Sequence, residues 1–204
     1  TNTSIGGFGL MTEPRTTRHV PGLVGNGRSF NGSSDYAYCQ DFSEFSQHND
    51  FFVETWLKPA ADMRIDLSTP GQGGATSGER FAWGLNEYCG DNNAQLGISA
   101  GTNGLAIWEY SGNGPYDKCQ FMVQRHLSDW THVVVVYSNR YPRLYVDGVF
   151  QGLGSQCARE IGATIRSRMG YQPGTLFGGE VDEMRFGAGT CSSNRVRALW
   201  LNVA

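Results

Sequence analysis

Trp130-Thr131-His132-Val133-Val134-Val135-Val136-Tyr137, a polar turn containing Ser138, Asn139, Arg140 and Pro142, and then Leu144-Tyr145-Val146-Asp147-Gly148 form the stretch that decides the fold. Its first run is crowded with β-branched residues, whose stiff side chains suit a pleated, buried surface. Asp147-Gly148 is a dipeptide suited to the positive φ of a tight hairpin turn, and Val149-Phe150-Gln151 continues past it. Three strands in an antiparallel meander are therefore predicted.

Outward from this meander the chain reads as strands separated by turns. Phe51 to Lys58 places Phe51, Val53, Thr55 and Leu57 on one face and Phe52, Glu54 and Trp56 on the other, and Pro59 closes it. Further strands are predicted at Asp35–Cys39, Arg80–Leu85, Gln95–Ser99, Leu105–Tyr110, Gln120–Arg125, Ala163–Gly170 and Gly178–Phe186. Gln95–Ser99 and Leu105–Tyr110 pair around a turn at residues 100–104. Residues 1–24 are interrupted by Gly6, Gly7, Pro14, Pro21 and Gly22 and are expected to be irregular. Near the other end Ser192 or Ser193 can cap a short helix over 192–202 that buries Val196, Leu199 and Trp200. So many short strands predict an all-β, two-sheet antiparallel sandwich or barrel in a single domain, 1–204.

The bulk numbers agree. Charged residues are 17% of the chain and there are 28 glycines, a composition of turns and strands. A net charge of −3 without any Lys/Arg run argues against nucleic acid and against an anionic membrane surface. No apolar segment approaches the roughly 20 residues that span a bilayer, so membrane insertion is not expected. Thr1 opens the sequence without a signal-peptide pattern. Cys39, Cys89, Cys119, Cys157 and Cys191 are widely spaced with no CxxC pair, which speaks against a zinc site and for long-range disulfides of an oxidising compartment. Cys89 with Cys119, on loops bracketing one hairpin, and Cys39 with Cys191, on strands near the two termini, are the candidate pairs; buried thiols are the alternative. Sequons at Asn2 and Asn31 permit N-glycosylation.

Five segments in order carry a resemblance: Gly25 to Tyr36, Phe51 to Pro59, Trp130 to Tyr137, Leu144 to Gly148 and Gly179 to Phe186. In that order they resemble the LamG-like, concanavalin A-like jelly-roll family from about Gly22 to Trp200. The resemblance implies one concave and one convex antiparallel sheet, a secreted or cell-surface setting, and often a calcium ion at the sandwich rim. The five cysteines depart from the usual members.

Several residues could carry chemistry. Asp182 shares strand parity with Met184 and Phe186 and so is expected to point into the core, where a carboxylate needs partners. Calcium is one such partner, and backbone amides or a Tyr hydroxyl are another. Cys89-Gly90-Asp91-Asn92-Asn93 is dense in oxygen ligands, although Asp and Asn in such clusters also satisfy turn backbone. Glu180-Val181-Asp182-Glu183 invites comparison with jelly-roll glycanases. With Glu183 expected on the opposite face from Asp182 and Met184 or Arg185 in the third position, glycoside hydrolysis is disfavoured and the chain reads as no enzyme. His132 reads as a packed sheet histidine.

Sugar binding is better founded, since saccharide rings stack on aromatic faces while amides bond their hydroxyls. Trp108 and Tyr110 share a strand face, Asn113 and Tyr116 follow in the next loop, and Trp83 with Asn86 can lie beside them. Trp108 and Trp83 can equally be core residues, as Trp56 and Trp130 are expected to be. The expected function is a non-catalytic module binding a glycan or glycoprotein surface, with calcium as its candidate cofactor. Homo-assembly as a structural or adhesion subunit of a surface fibre or sheath is the alternative.

Overall fold

The computed structural model describes residues 11–13, 18–38, 49–65, 78–83, 93–110, 118–162 and 176–203. The elements are β1 (Met11–Glu13), β2 (Arg18–Pro21), β3 (Asn26–Asn31), β4 (Tyr36–Tyr38), β5 (Phe51–Pro59), β6 (Phe81–Trp83), β7 (Asn93–Gly101), β8 (Gly104–Tyr110), β9 (Lys118–Gln124), β10 (Thr131–Ser138), β11 (Tyr141–Val146), β12 (Val149–Leu153), β13 (Glu160–Gly162), β14 (Gly178–Ala188) and α1 (Ser193–Leu201).

They form a seven-stranded sheet in the order β12-β11-β10-β5-β14-β3-β2 and a five-stranded sheet in which β13-β7-β8-β9 are neighbours and β6 pairs β7. This is the two-sheet jelly-roll sandwich with a short C-terminal helix that the sequence predicts. β1 and β4 pair separately. The opening meander is β10-β11-β12, antiparallel throughout. Its turns use φ of +48° and +67° at Asn139 and Arg140 and of +51° and +71° at Asp147 and Gly148, the signs a two-residue hairpin turn requires.

The space between the sheets holds the main core. Phe51, Val53 and Leu57 of β5, Val133 and Val135 of β10 and Leu144 and Val146 of β11 meet Leu96, Ile98, Leu105 and Ile107 of the opposite sheet. Each such side chain contributes roughly 1.5–3 kcal/mol on leaving water. The other face of the seven-stranded sheet is covered too. Phe52, Val134, Val136 and Tyr145 pack under Val196 of α1, with Cys191 among them. Burial on both faces explains why β10 is an unbroken apolar run. α1 is capped as expected, Ser192 Oγ accepting from the Arg195 N–H at 3.3 Å. On the outer face of the five-stranded sheet, Met63, Phe81, Ala106, Trp108 and Cys119 form a third cluster.

The structure corrects several expectations. Residues 1–24 contain β1 and β2, because a short edge strand tolerates Pro21 at its end. The turn between β7 and β8 is only Thr102-Asn103, with Gly101 paired to Gly104. Trp130 is half-buried rather than core. The strand expected at Ala163–Gly170 lies outside the described residues; β13, just before it, runs parallel to β7. Cys119, Cys157 and Cys191 are buried thiols. The expected pairs Cys39 with Cys191 and Cys89 with Cys119 each have one member among the described residues, in apolar packing. Cys39 and Cys89 themselves lie outside the described residues.

The most consequential departure is in β14. Its register against β5 shifts between Asp182 and Arg185, with Glu183 at φ +48°. This is a β-bulge, and it exchanges the two faces of the strand. Val181 pairs with Leu57 before it and Phe186 with Val53 after it, so both face the main core. Asp182, opposite Trp56, faces outward. The expectation that Asp182 shares the inward face of Met184 and Phe186 is thus corrected.

Candidate functional site

The candidate rim is one end of the sandwich. β7 begins there at Asn93, β8 ends at Tyr110 and β9 begins at Lys118. The registers Gln95 to Tyr110, Glu109 to Lys118 and Asn93 to Glu160 bring these termini side by side. In the sequence Asp91 and Asn92 precede β7, and Asn113 and Tyr116 lie between β8 and β9.

Beneath it lies a polar floor inside the sandwich. Glu109 is completely buried. The Tyr137 hydroxyl donates to Glu109 Oε1 at 3.0 Å, and Gln120 Nε2 donates to Oε2 at 2.6 Å. Gln120 Oε1 in turn accepts the Ser155 N–H at 3.1 Å. A carboxylate in low dielectric needs such donors. Their effect is mechanical: β8, β9, β10 and the segment after β12 are tied together under the connections. Both oxygens of Glu109 are thus engaged within the protein.

Of the residues singled out for sugar binding, Trp108 is placed elsewhere. It is 1% exposed, its ring meets Phe81 edge-on at 6.3 Å, and its Nε1–H donates to Ser99 Oγ at 3.3 Å. Packing by Met63 and Phe81 on the outer face of the five-stranded sheet explains this. The reading of Trp108 as a stacking platform is corrected to core, and Trp83 is core as well. Tyr110 closes β8 at the rim, while its side chain lies outside the described residues. Asn86, Asn113, Tyr116, Asp91, Asn92 and Asn2 also lie outside them, as does the side chain of Asn93, whose backbone opens β7. Asn31 is exposed at the end of β3, where its Oδ1 accepts from the N–H groups of Ser33, Ser34 and Asp35 and its Nδ2 donates to Ser34 Oγ.

Asp182 is satisfied by backbone. Its Oδ2 accepts the Val24 N–H at 3.0 Å and its Oδ1 the Glu183 N–H at 2.8 Å. Each oxygen accepts one backbone N–H, which supplies the partners a buried carboxylate needs. Gly22 permits the arrangement, since a Cβ there falls 2.4 Å from Asp182 Oδ2. Among the described residues no group of three or more His, Cys, Asp or Glu side chains is placed to hold a metal ion.

The bulge assembles a cluster that the sequence reading missed. Glu54, fully buried, receives His132 Nε2 at 3.1 Å and Arg185 Nη1 at 3.3 Å, and Arg185 Nη2 also bonds Glu183. Glu183 thus shares the outer face with Arg185 and Asp182, which corrects its expected position opposite Asp182. His132 is the packed sheet histidine expected, its ring 5.0 Å from that of Trp56. Its Nε2 faces Glu54, while Nδ1 is buried with no hydrogen-bond partner among the described residues. The available signal was Glu54 itself, a lone charge within Phe51-Phe52-Val53-Glu54-Thr55-Trp56-Leu57. Nearby, burial pushes the Cys191 thiol up; Arg195 lowers it and Glu54 raises it further. Burial likewise pushes Cys119 up to about 12, against a bond to the Phe121 carbonyl that lowers it.

Comparison with known proteins places this architecture. A profile described as the concanavalin A-like lectin/glucanases superfamily matches residues 31–197. Domain 4 of AbnA, a GH43 extracellular arabinanase from Geobacillus stearothermophilus, in complex with arabinotriose, is similar with a TM-score of 0.64 at 22% identity, over 96% of this chain and 90% of that one. The binding domain of botulinum neurotoxin serotype G is similar with a TM-score of 0.67 at 12% identity, over 97% of this chain and 47% of that one. The binding domain of Paraclostridial Mosquitocidal Protein 1 is similar with a TM-score of 0.62 at 15% identity, over 94% and 47%. The chain therefore spans about half the length of these toxin domains. At such identities the likeness establishes the fold. No curated protein sequence matches the chain.

Proposed function

On the premise that this chain belongs to the concanavalin A-like lectin/glucanases superfamily, we propose that it is a non-catalytic, extracellular module whose rim binds a glycan or glycosylated surface. One observation supports the reading: β7 begins, β8 ends and β9 begins side by side at Asn93, Tyr110 and Lys118, beside the buried Glu109 network, and the sequence joining these strands is rich in Asn, Asp and Tyr. Such a rim offers amides and hydroxyls for sugar hydroxyls and tyrosine faces for sugar rings. The solved structure in complex with arabinotriose and the toxin binding domains support it by analogy of fold. Asp182, Glu54 and Glu109, the buried carboxylates nearest to a catalytic reading, are each held by internal partners. Calcium, where it assists, is bound from among Asp91, Asn92, Asn93 and Asp182.

A glycan array probed with the full chain, with calcium and again with chelator, tests the proposal. Tyr110→Ala and Tyr116→Ala are expected to weaken the signal about tenfold, the scale of one lost stacking contact. A blank array in both conditions, or binding indifferent to both tyrosines, overturns it.

A further inference from the structure

The strands that end the two large sheets differ in how their edges are guarded. β2 carries Arg18, His19 and Pro21, β9 begins at Lys118, and β13 is three residues long and begins at Glu160. Charge, proline and shortness are the ordinary means of stopping one sheet from pairing with another. β12, Val149-Phe150-Gln151-Gly152-Leu153, has no charge and no proline, and its one such device is a bulge at Gln151. It ends the seven-stranded sheet with β11 as its partner.

β12 also presents apolar side chains to water. Val149 is 61% exposed, Phe150 51% and Leu153 51%. Leu201 of α1, 57% exposed, adds to them, because the end of the helix lies over the β11-β12 turn, with Trp200 against Gly148. Four of the six large hydrophobic residues exposed among those described therefore gather at this edge. Because Val146 and Val149 flank a two-residue turn, the next residue, Phe150, directs its backbone N–H and C=O away from β11. Gln151 keeps its own side chain local, Nε2 donating to the Val149 carbonyl at 3.1 Å.

We propose that β12 is a self-complementary edge through which two copies of this chain pair, β12 antiparallel to β12, about a two-fold axis. The absence of charge selects this occupant. An uncharged row meets its own copy without opposing like charges, and it offers a charged peptide no counter-ion. The outward N–H and C=O of Phe150 supply hydrogen bonds, and Val149, Phe150, Leu153 and Leu201 supply apolar area. Two-fold symmetry closes the assembly at two copies, since β12 is consumed once in each.

Sedimentation velocity of the full chain over a concentration series, in reductant so that thiols cannot cross-link, tests this. A monomer–dimer equilibrium is expected. Val149→Lys places like charges opposite each other and is expected to weaken it by about tenfold or more. Val24→Lys, an exposed position away from this edge, is expected to leave it unchanged. Thermal melts of both variants check that the fold is intact; if Val149→Lys misfolds, Leu153→Lys takes its place. A strictly monomeric chain, a dimer that survives both β12 variants, or open-ended growth with concentration overturns the proposal.

Discussion

Asp182 is held by two backbone N–H groups from opposite ends of the chain's numbering, Val24 and Glu183. Asp182→Ala leaves both donors without an acceptor in a buried setting and is expected to cost about 1–3 kcal/mol, read as a shifted urea midpoint at unchanged slope. A calcium-ligand role predicts instead that chelator alone reproduces the loss. The Cys119 thiol gives a second prediction. Its folded pKa of about 12 exceeds the ordinary 9.0, so above 9 the unfolded chain ionises first. The stability it contributes is fully present below pH 9 and is lost as pH climbs toward 12. Urea titrations below and above pH 9 are expected to show a decline that Cys119→Ala flattens. At this scale the sequence was legible where one property decides the outcome: Val133 to Val136 are core because nothing else suits them. It failed where position decides. Trp108 has the same composition exposed or buried, and only the cover of Met63 and Phe81 settles its place.

Elements were legible wherever a period and a turn agreed. β5 keeps the alternation read from its sequence, and β10-β11-β12 follow the turns at Asn139-Arg140 and Asp147-Gly148. β14 was legible as a strand but not in its phase. The bulge at Glu183 uses no glycine, and its cause lies in neighbours: Arg185 reaches across to Glu54 on β5 and back to Glu183. A single-strand reading has no access to that cross-strand pull, so Asp182 was assigned to the inner face while Glu183 lies outward as its parity gave. Turn strain offers a test at this scale. Arg140 holds φ +67° without the freedom of glycine. Arg140→Gly is expected to stabilise the chain by about 0.5–1 kcal/mol, offset in part by glycine entropy in the unfolded state, and a higher urea midpoint checks it.

At the scale of the molecule, the two sheets share one core, to which β3, β5, β7, β8, β10, β11 and β14 all contribute. The seven-stranded and five-stranded sheets are therefore expected to melt together. Calorimetric and van't Hoff enthalpies should agree in a single transition, and two resolved transitions would contradict it. Sheet order carries a further consequence for a chain made from its N-terminus onward. β3 is flanked only by β2 and β14, and β14 is the final strand. During synthesis the β2-β3 hairpin emerges before the strand it joins, and its place in the sheet does not exist until residues 178–181 have been added. It must wait, its outer edge guarded by Arg18, His19 and Pro21, while the middle of the chain assembles. The last strand is thus the keystone that admits the first ones, and a ribosome stalled before Gly178 releases a sandwich that cannot be closed.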